Sequence, residues 1–197
     1  YVATCTDLSL MVVAQRVCVG ADSLVLLALP FFLLAGEIMN AAGITRSLTR
    51  LALAIIGPPR GGLSYVVVAV NVLVAMVSGA AVASAAAVGS TMVPMMEKQG
   101  YPRSFAAALN AAAATVGPII PPSVGFIIYA SVSGASVGKL FLAGTLPGVL
   151  LAFGVLAVCV LMAYRHGYPA GERHSRRELW QSFREALPAL LMPVIIL

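Results

Sequence analysis

Two stretches of the sequence place small hydroxyl side chains beside residues that interrupt helices. The first runs from Ser78 to Ser84 around a Ser-Gly pair, and the second runs from Thr115 to Ser123 and holds three prolines. Each proline lacks an N–H and clashes with the carbonyl four residues earlier, so the helix must break there. The carbonyls freed in this way belong to Ala114, Gly117 and Pro118. Carbonyl and hydroxyl oxygens are hard ligands of the kind that broken helices offer to sodium.

We therefore predict an ion site and a substrate site at these two stretches. The residues assigned to sodium are Ser78, Gly79, Ser84, Thr115, Gly117 and Pro118. Half-helix N-termini favour an anionic substrate through their free N–H groups. The residues assigned to that substrate are Ala80, Asn110, Pro122 and Ser123. The structural alternative is close helix packing at 78–91 and a simple kink at the prolines. We favour the ion and substrate sites because two adjacent breaks are less common than one.

Glu37 is the one acidic residue inside an apolar run. Ionisable groups at membrane depth mark ion or proton pathways, so one interpretation is an ion or proton site. The other is that Glu37 lies near the aqueous end of its span, where it pairs with Arg46 or caps a neighbouring helix. We favour the second interpretation.

Groups for covalent or acid–base catalysis are missing from the apolar runs. No His, Asp or Cys pair stands there at catalytic spacing, and His166 and His174 both fall in a basic loop. The three cysteines, at positions 5, 18 and 159, form neither a disulfide nor a zinc pattern. These observations argue against an enzyme such as an intramembrane hydrolase, and no metal besides sodium and no cofactor is expected.

The composition of the chain is typical of a membrane protein. The 197 residues are 60% hydrophobic and 10% charged, with a mean hydropathy of +0.99, whereas soluble domains carry about 25% charged residues. No Asp, Glu, Lys, Arg or His lies between Arg60 and Glu97, Arg103 and Lys139, or Lys139 and Arg165. The net charge of +5 comes from gaps between apolar runs, which argues for membrane loops and against nucleic acid as a partner. We predict an all-α polytopic membrane protein in a lipid bilayer.

Helix breakers and apolar runs predict the elements that position the two stretches. A first span covers 24–43, and an amphipathic helix then lies along the interface. The apolar face of that helix comprises Ile44, Leu48, Leu51 and Ile55. Two half-length helices follow and meet at the Ser-Gly tip. Irregular backbone at membrane depth needs protein or a water-filled cavity to satisfy its polar groups, so we expect such surroundings at the tip.

The remaining elements are a broken helix, a full span and a basic loop. The broken helix runs from about 104 to 116 and resumes at 124–132, and the span covers 139–164. The loop that follows holds the densest Lys/Arg cluster beside a span, so we place it in the cytoplasm. Counting back along the chain also places Lys98 on the cytoplasmic side and residues 133–136 outside.

These segments resemble the large membrane subunit of tripartite ATP-independent periplasmic (TRAP) transporters. The resemblance extends from about Val13 to Tyr168, and its motifs in order are LALPFFLLAGEIMNAAGITRSL, SGAAVASAAAVGSTMVPMMEKQGYPRSFAAAL, TVGPIIPPSVGFIIYA and VGKLFLAGTLPG. It implies an elevator carrier of the ion-transporter superfamily with two inverted repeats, each holding a re-entrant hairpin and a broken transmembrane helix. This chain would be a fragment with the first repeat and the start of the second.

The resemblance also implies how the chain divides into segments. These are an incomplete N-terminal helix (1–23), a scaffold span with an interfacial arm helix (24–62), a transport-domain hairpin and broken helix (63–138), a transmembrane span (139–164), a cytoplasmic loop and arm (165–186) and the start of the second repeat (187–197). Many relatives have a second hydroxyl where Ala80 stands, and some have Asp where Ser84 stands. Backbone carbonyls would therefore supply more of the ion site here.

The function implied by the resemblance is sodium-coupled uptake of a small organic acid, without ATP, across the bacterial inner membrane. A periplasmic binding protein would deliver the substrate, and a small membrane subunit would accompany the large one. The alternative is a proton-coupled elevator carrier of a related family, in which Glu37 would be the coupling residue.

Overall fold

The computed structural model describes residues 10–21, 24–171 and 178–187. Regular structure in these ranges is helical apart from one isolated bridge between Arg60 and Ala170. The helices in chain order are α1 (Leu10–Ala21), α2 (Leu24–Ala41), α3 (Ile44–Ile56), α4 (Gly62–Ser78), α5 (Ala81–Lys98), α6 (Arg103–Val116), α7 (Val124–Ser133), α8 (Val137–His166) and α9 (residues 178–187). An all-α chain agrees with the prediction. Residues 1–9 and 22–23 of the predicted N-terminal segment, residues 172–177 in the middle of the predicted basic loop, and residues 188–197 lie outside the described residues.

Helices α4 and α5 form the hairpin that the Ser-Gly pair predicts. Gly79 ends α4 with a φ of +64° and donates its N–H to the Ala75 carbonyl at 2.7 Å. Such a left-handed conformation is accessible to glycine at little cost, so the chain reverses within two residues. Ala80 is extended, and α5 begins directly after it. The prediction that the irregular stretch reaches Ser84 is wrong, because the alanine-rich start of α5 favours helix immediately after the turn.

The second break separates α6 from α7. A 3₁₀ turn, Gly117–Ile119, follows α6, and three further residues lead to Ser123, whose Oγ accepts the Phe126 N–H at 3.4 Å and caps α7. The Pro121–Pro122 peptide is cis. The two half-helices meet at an angle of 40°. The break is two residues shorter than the predicted stretch 115–123, since Thr115 and Val116 still belong to α6.

Helix α8 is the longest element, with 30 residues and Pro147 in its interior. Among the described residues, it is the helix that is long and apolar enough to cross a membrane by itself. The bent pair of α6 and α7 is a second candidate if both halves count as one span. Residues 29–39 and 62–76 form shorter apolar helical stretches.

The core lies around α4, which packs against α2, α3, α5, α6 and α8. Its buried residues include Val66 and Val70 from α4, Met92 and Met96 from α5, and Ala106 from α6.

The arm helix α3 joins this core through the face that carries Leu48 and Leu51. Ile55, expected on the same face, is 58% exposed, because α3 packs on α4 through Leu48, Leu51 and Ala52 while Ile55 borders a groove beside α9.

Candidate functional site

The structure brings the hairpin tip and the helix break into direct contact. A Cβ added to Gly117 would overlap the Cβ of Ala75, one turn before the tip. A Cβ added to Gly79 would lie 2.7 Å from a methyl of Val124 and 2.6 Å from the ring of Phe32. Glycine at both positions therefore allows two interrupted helices to approach each other more closely than side chains would permit.

Ser78 presents its hydroxyl at the tip. The Oγ donates to the Ala80 carbonyl at 3.3 Å and accepts the Ala80 N–H at 3.4 Å. A hydroxyl has two acceptor lone pairs, so one remains for a further partner such as a cation. Ser78 is half-buried, and its oxygen is the best-placed hydroxyl in the first break.

The other predicted sodium residues lie in different surroundings. The Gly117 carbonyl accepts the Ile120 N–H at 3.1 Å, which leaves its second lone pair. The Thr115 side chain is exposed and donates to the Ala112 carbonyl of its own helix at 2.8 Å. Pro118 is half-buried within the 3₁₀ turn. Of the six residues, Gly79 and Gly117 lie where the two breaks meet, and Ser78 directly precedes Gly79.

The residues predicted for the substrate divide in a similar way. Ala80 lies at the tip, directly before α5. Pro122 and Ser123 are buried in the break directly before α7. Asn110 lies in the middle of α6 and is 7% exposed, within a network of polar side chains. The N-termini of α5 and α7 adjoin each other through the contact between Gly79 and Val124.

This buried polar network joins three helices, and its centre is a residue that the sequence analysis missed. Asn71 of α4 is fully buried and donates from Nδ2 to Asn110 Oδ1 at 3.0 Å and to the Val67 carbonyl at 2.9 Å. Ser84 donates to Asn71 Oδ1 at 2.9 Å, with the Asn71 backbone carbonyl 3.1 Å away. Asn110 Nδ2 donates to the Ala85 carbonyl at 2.9 Å.

The network accounts for every polar atom of the Asn71 amide, and it ties α4, α5 and α6 together. Buried amides are costly unless they are hydrogen-bonded, so these bonds fix one arrangement of the three helices. Ser84 lies inside this network, three residues beyond the start of α5. The available signal for Asn71 was an amide in the otherwise apolar run VVVAVNVLVAMV.

Glu37 is exposed and borders a small cavity of about 10 Å³ that Ser78, Thr45 and Val74 also line. Such a volume holds about one water molecule. The expected ion pair between Glu37 and Arg46 is not formed in the structure. Arg50 instead makes an ion pair, with its Nη1 3.4 Å from Glu185 Oε2.

The donor atoms at the junction of the two breaks are hydroxyl and carbonyl oxygens. Among the described residues, no three His, Cys, Asp or Glu side chains cluster in a way that could hold a metal ion. Oxygens of this kind are ligands for hard cations, and two half-helix N-termini lie beside them.

Comparison with known proteins gives one matching family and several similar proteins. The profile of a family described as "Tripartite ATP-independent periplasmic transporter, DctM component" matches residues 1–197. The chain is 47% identical to the uncharacterized protein YgiK of Salmonella typhimurium, over 97% of this chain and 44% of that protein. It is 43% identical to the 2,3-diketo-L-gulonate TRAP transporter large permease protein YiaN of Escherichia coli, over 94% of this chain and 44% of that protein.

A third relative is the C4-dicarboxylate TRAP transporter large permease protein DctM of Pseudomonas aeruginosa. It is 44% identical over 87% of this chain and 40% of its own length. The chain thus spans less than half the length of each of these relatives. Those named for an activity are transporter permeases and not enzymes.

Proposed function

The chain belongs to the family of DctM components of tripartite ATP-independent periplasmic transporters, which are membrane proteins. We propose that it forms part of a large permease subunit that imports a small organic acid by sodium symport. The observation that carries this proposal is the contact between the hairpin tip and the helix break, with the Ser78 hydroxyl directly before the tip glycine. The proposed site takes sodium through oxygen ligands and the substrate through half-helix N-termini.

The relatives' names support an organic acid as substrate. They include a 2,3-diketo-L-gulonate permease, a C4-dicarboxylate permease and a sialic acid permease from Vibrio cholerae. Each of these compounds carries at least one carboxylate. We infer that a carboxylate is the group that this permease recognises, and that the identity of the acid depends on residues beyond the junction described here.

The geometry supports a mechanism in which ion and substrate bind cooperatively. The N-termini of α5 and α7 adjoin each other, and each carries a partial positive charge that favours a carboxylate. Sodium would use the free lone pairs of Ser78 Oγ and the Gly117 carbonyl. A cation beside a carboxylate raises the affinity of the site for both, and this reciprocal coupling is what symport requires.

The proposal includes the assembly in which the permease works. A periplasmic binding protein delivers the acid, a small membrane subunit accompanies the permease, and the complex is multi-pass in the bacterial inner membrane. The hairpin and the broken helix belong to a moving transport domain of an elevator carrier with two inverted repeats. The network of Asn71, Ser84 and Asn110 supports this assignment, because it joins the hairpin to α6 as one unit.

The alternative function is proton-coupled transport through Glu37. The observation in its favour is that Glu37 and Ser78 line the same small cavity. A carboxylate that binds and releases a proton there would replace sodium as the coupling group.

The test is a sodium titration of uptake by the complete transporter, with both membrane subunits and the binding protein, in proteoliposomes. In Ser78→Ala we expect the sodium concentration at half-maximal uptake to rise roughly five- to thirty-fold, as for the loss of about 1–2 kcal/mol from one neutral ligand. Ser90→Ala is the matched control, because Ser90 is exposed and bonds to Ala87 of its own helix.

The outcomes separate the two functions. An unchanged sodium midpoint in Ser78→Ala would remove this hydroxyl from the ion site. Uptake that is independent of sodium in the wild type, follows a pH gradient and disappears in Glu37→Gln would establish the proton-coupled alternative.

A further inference from the structure

A groove between the arm helix α3 and the hairpin helix α5 carries two arginines. Its volume is about 590 Å³, within the range of small-molecule pockets. Arg46 and Arg50 of α3 lie on one side, and Ala87, Thr91 and Met95 of α5 lie on the other.

The charge in this groove is only partly balanced. Arg46 and Arg50 stand four residues apart on one face of α3, where like charges repel each other. Arg50 is paired with Glu185 at 3.4 Å. Arg46 is exposed and makes no ion pair with any residue that the structure describes. An anion in the groove would relieve the repulsion and find a free guanidinium there.

The groove adjoins the small cavity beside the hairpin tip. Thr45 lines both the groove and the small cavity that Ser78 borders. Helix α5 forms one wall and begins at the tip, so at about 1.5 Å per residue the segment 87–95 lies roughly 9–21 Å from the start of that helix. A ligand that left the tip along α5 would reach this segment.

A lipid fits a different surface better. An open groove of about 350 Å³ lies on the opposite face of α3 and is lined by Leu51, Ile55, Leu179, Trp180 and Phe183. Its walls are almost wholly apolar side chains, which suit an acyl chain. The arginine groove instead has three threonines, at positions 45, 49 and 91, beside its two cations.

We propose that the groove between α3 and α5 binds the carboxylate of the transported acid after it leaves the tip, and that Arg46 contacts it. The inference rests on the proposed function, because the anion it names is the transported substrate. The groove is a second anion site, on the path between the tip and the cytoplasm. Its role is to draw the acid away from the tip, so its occupancy follows the internal substrate concentration.

The experiment uses the complete transporter in proteoliposomes, with radiolabelled succinate, 2,3-diketo-L-gulonate and sialic acid as probes. The wild type is assayed first, and failure to take up any probe with sodium would contradict the proposed function itself. The accepted acid is then used in counterflow, in which internal unlabelled substrate stimulates tracer entry. The concentration that gives half-maximal stimulation reports the affinity of the site that faces the inside.

In Arg46→Gln we expect this internal half-saturation concentration to rise roughly ten-fold, as for the loss of one charged hydrogen bond. The external half-saturation concentration and the sodium midpoint should stay within two-fold. Arg46→Lys keeps the charge and should show a smaller rise. Arg103→Gln is the matched control, because it removes an exposed arginine at the start of α6, outside the groove.

Three results would overturn the inference while leaving the proposed function intact. The first is an internal half-saturation concentration that Arg46→Gln leaves unchanged. The second is an equal rise in Arg103→Gln, which would reveal a general charge effect. The third is a defect that appears only when phosphatidylglycerol is added to phosphatidylcholine liposomes, which would assign Arg46 to an anionic lipid headgroup.

Discussion

Helices α4 and α8 have similarly apolar sequences, yet they lie in different surroundings. In α4, Val66, Val67 and Val70 are fully buried by neighbouring helices. In α8, only 17% of the residues in the most apolar stretch are buried within the described chain, and Leu142 and Leu161 are 77% and 69% exposed. Apolar composition therefore identifies both as membrane-compatible helices but does not distinguish a helix covered by protein from one available to lipid.

Their polar residues do distinguish them. Asn71 of α4 bonds to side chains on two other helices. Thr145 of α8 donates to the Phe141 carbonyl of its own helix at 2.8 Å. A polar group that bonds within its helix needs no partner helix, whereas an amide with spare donors and acceptors must find one. In α4 these demands are met only by the packed arrangement of α4, α5 and α6.

The largest effect that separates the two regions is expected from Asn71→Leu. Leucine keeps the branched shape of the side chain, though with a larger volume, and removes the donor to Asn110 Oδ1, which stays buried, while Ser84 retains the Asn71 backbone carbonyl as an acceptor. We expect a loss of about 3 kcal/mol in the unfolding free energy, because the Asn110 Oδ1 acceptor becomes unpaired and both hydrogen bonds donated by the Asn71 amide are lost. Thermal unfolding of the full-length permease in nanodiscs measures this.

The matched control for that substitution is Thr145→Val in α8, which removes a hydroxyl bonded only within its own helix. We expect it to change the unfolding free energy by less than about 1 kcal/mol. Equal losses in the two variants would show that the network of Asn71, Ser84 and Asn110 does not hold the helices together.

A second comparison uses the same substitution at two glycines. In Gly117→Ala the new methyl would overlap the Cβ of Ala75, so the break must move away from α4. Such overpacking costs about 2 kcal/mol. In Gly154→Ala, within α8, nothing lies within 4 Å of the new methyl, and alanine is the better helix former by roughly 0.5–1 kcal/mol. Thermal midpoints that fall for both variants would contradict the assignment of α8 as the open helix.

The ends of these helices could be predicted from the sequence because the residues that end a helix act locally. Gly79 and the prolines at 118, 121 and 122 act on their own backbone and on carbonyls within four residues. The hairpin tip and the break therefore lie within a few residues of the predicted positions. The larger overestimate, at Ser84, treated a run of small residues as irregular although alanine favours helix.

The contacts of the site could not be read in the same way. Asn71 and Asn110 are 39 residues apart, and their bond depends on how α4 packs against α6. The sequence suggested an ion pair between Glu37 and Arg46, but Arg50 pairs instead with Glu185, 135 residues away. Such pairings follow from tertiary packing, and one sequence without its relatives carries no signal for them.

The smallest effect is expected on the outward side of α8. Val158 is 54% exposed, whereas Val88 of α5 is 1% exposed. In Val158→Ala the lost methyl groups face lipid, which is as apolar as the side chain itself, so the unfolding free energy should change by less than about 0.5 kcal/mol. Val88→Ala, the buried counterpart, should lose about 1.5 kcal/mol through lost contacts and a cavity. If Val158→Ala in the full-length permease lost as much as Val88→Ala, protein would cover this face of α8, and α8 would resemble α4 more closely than the described residues indicate.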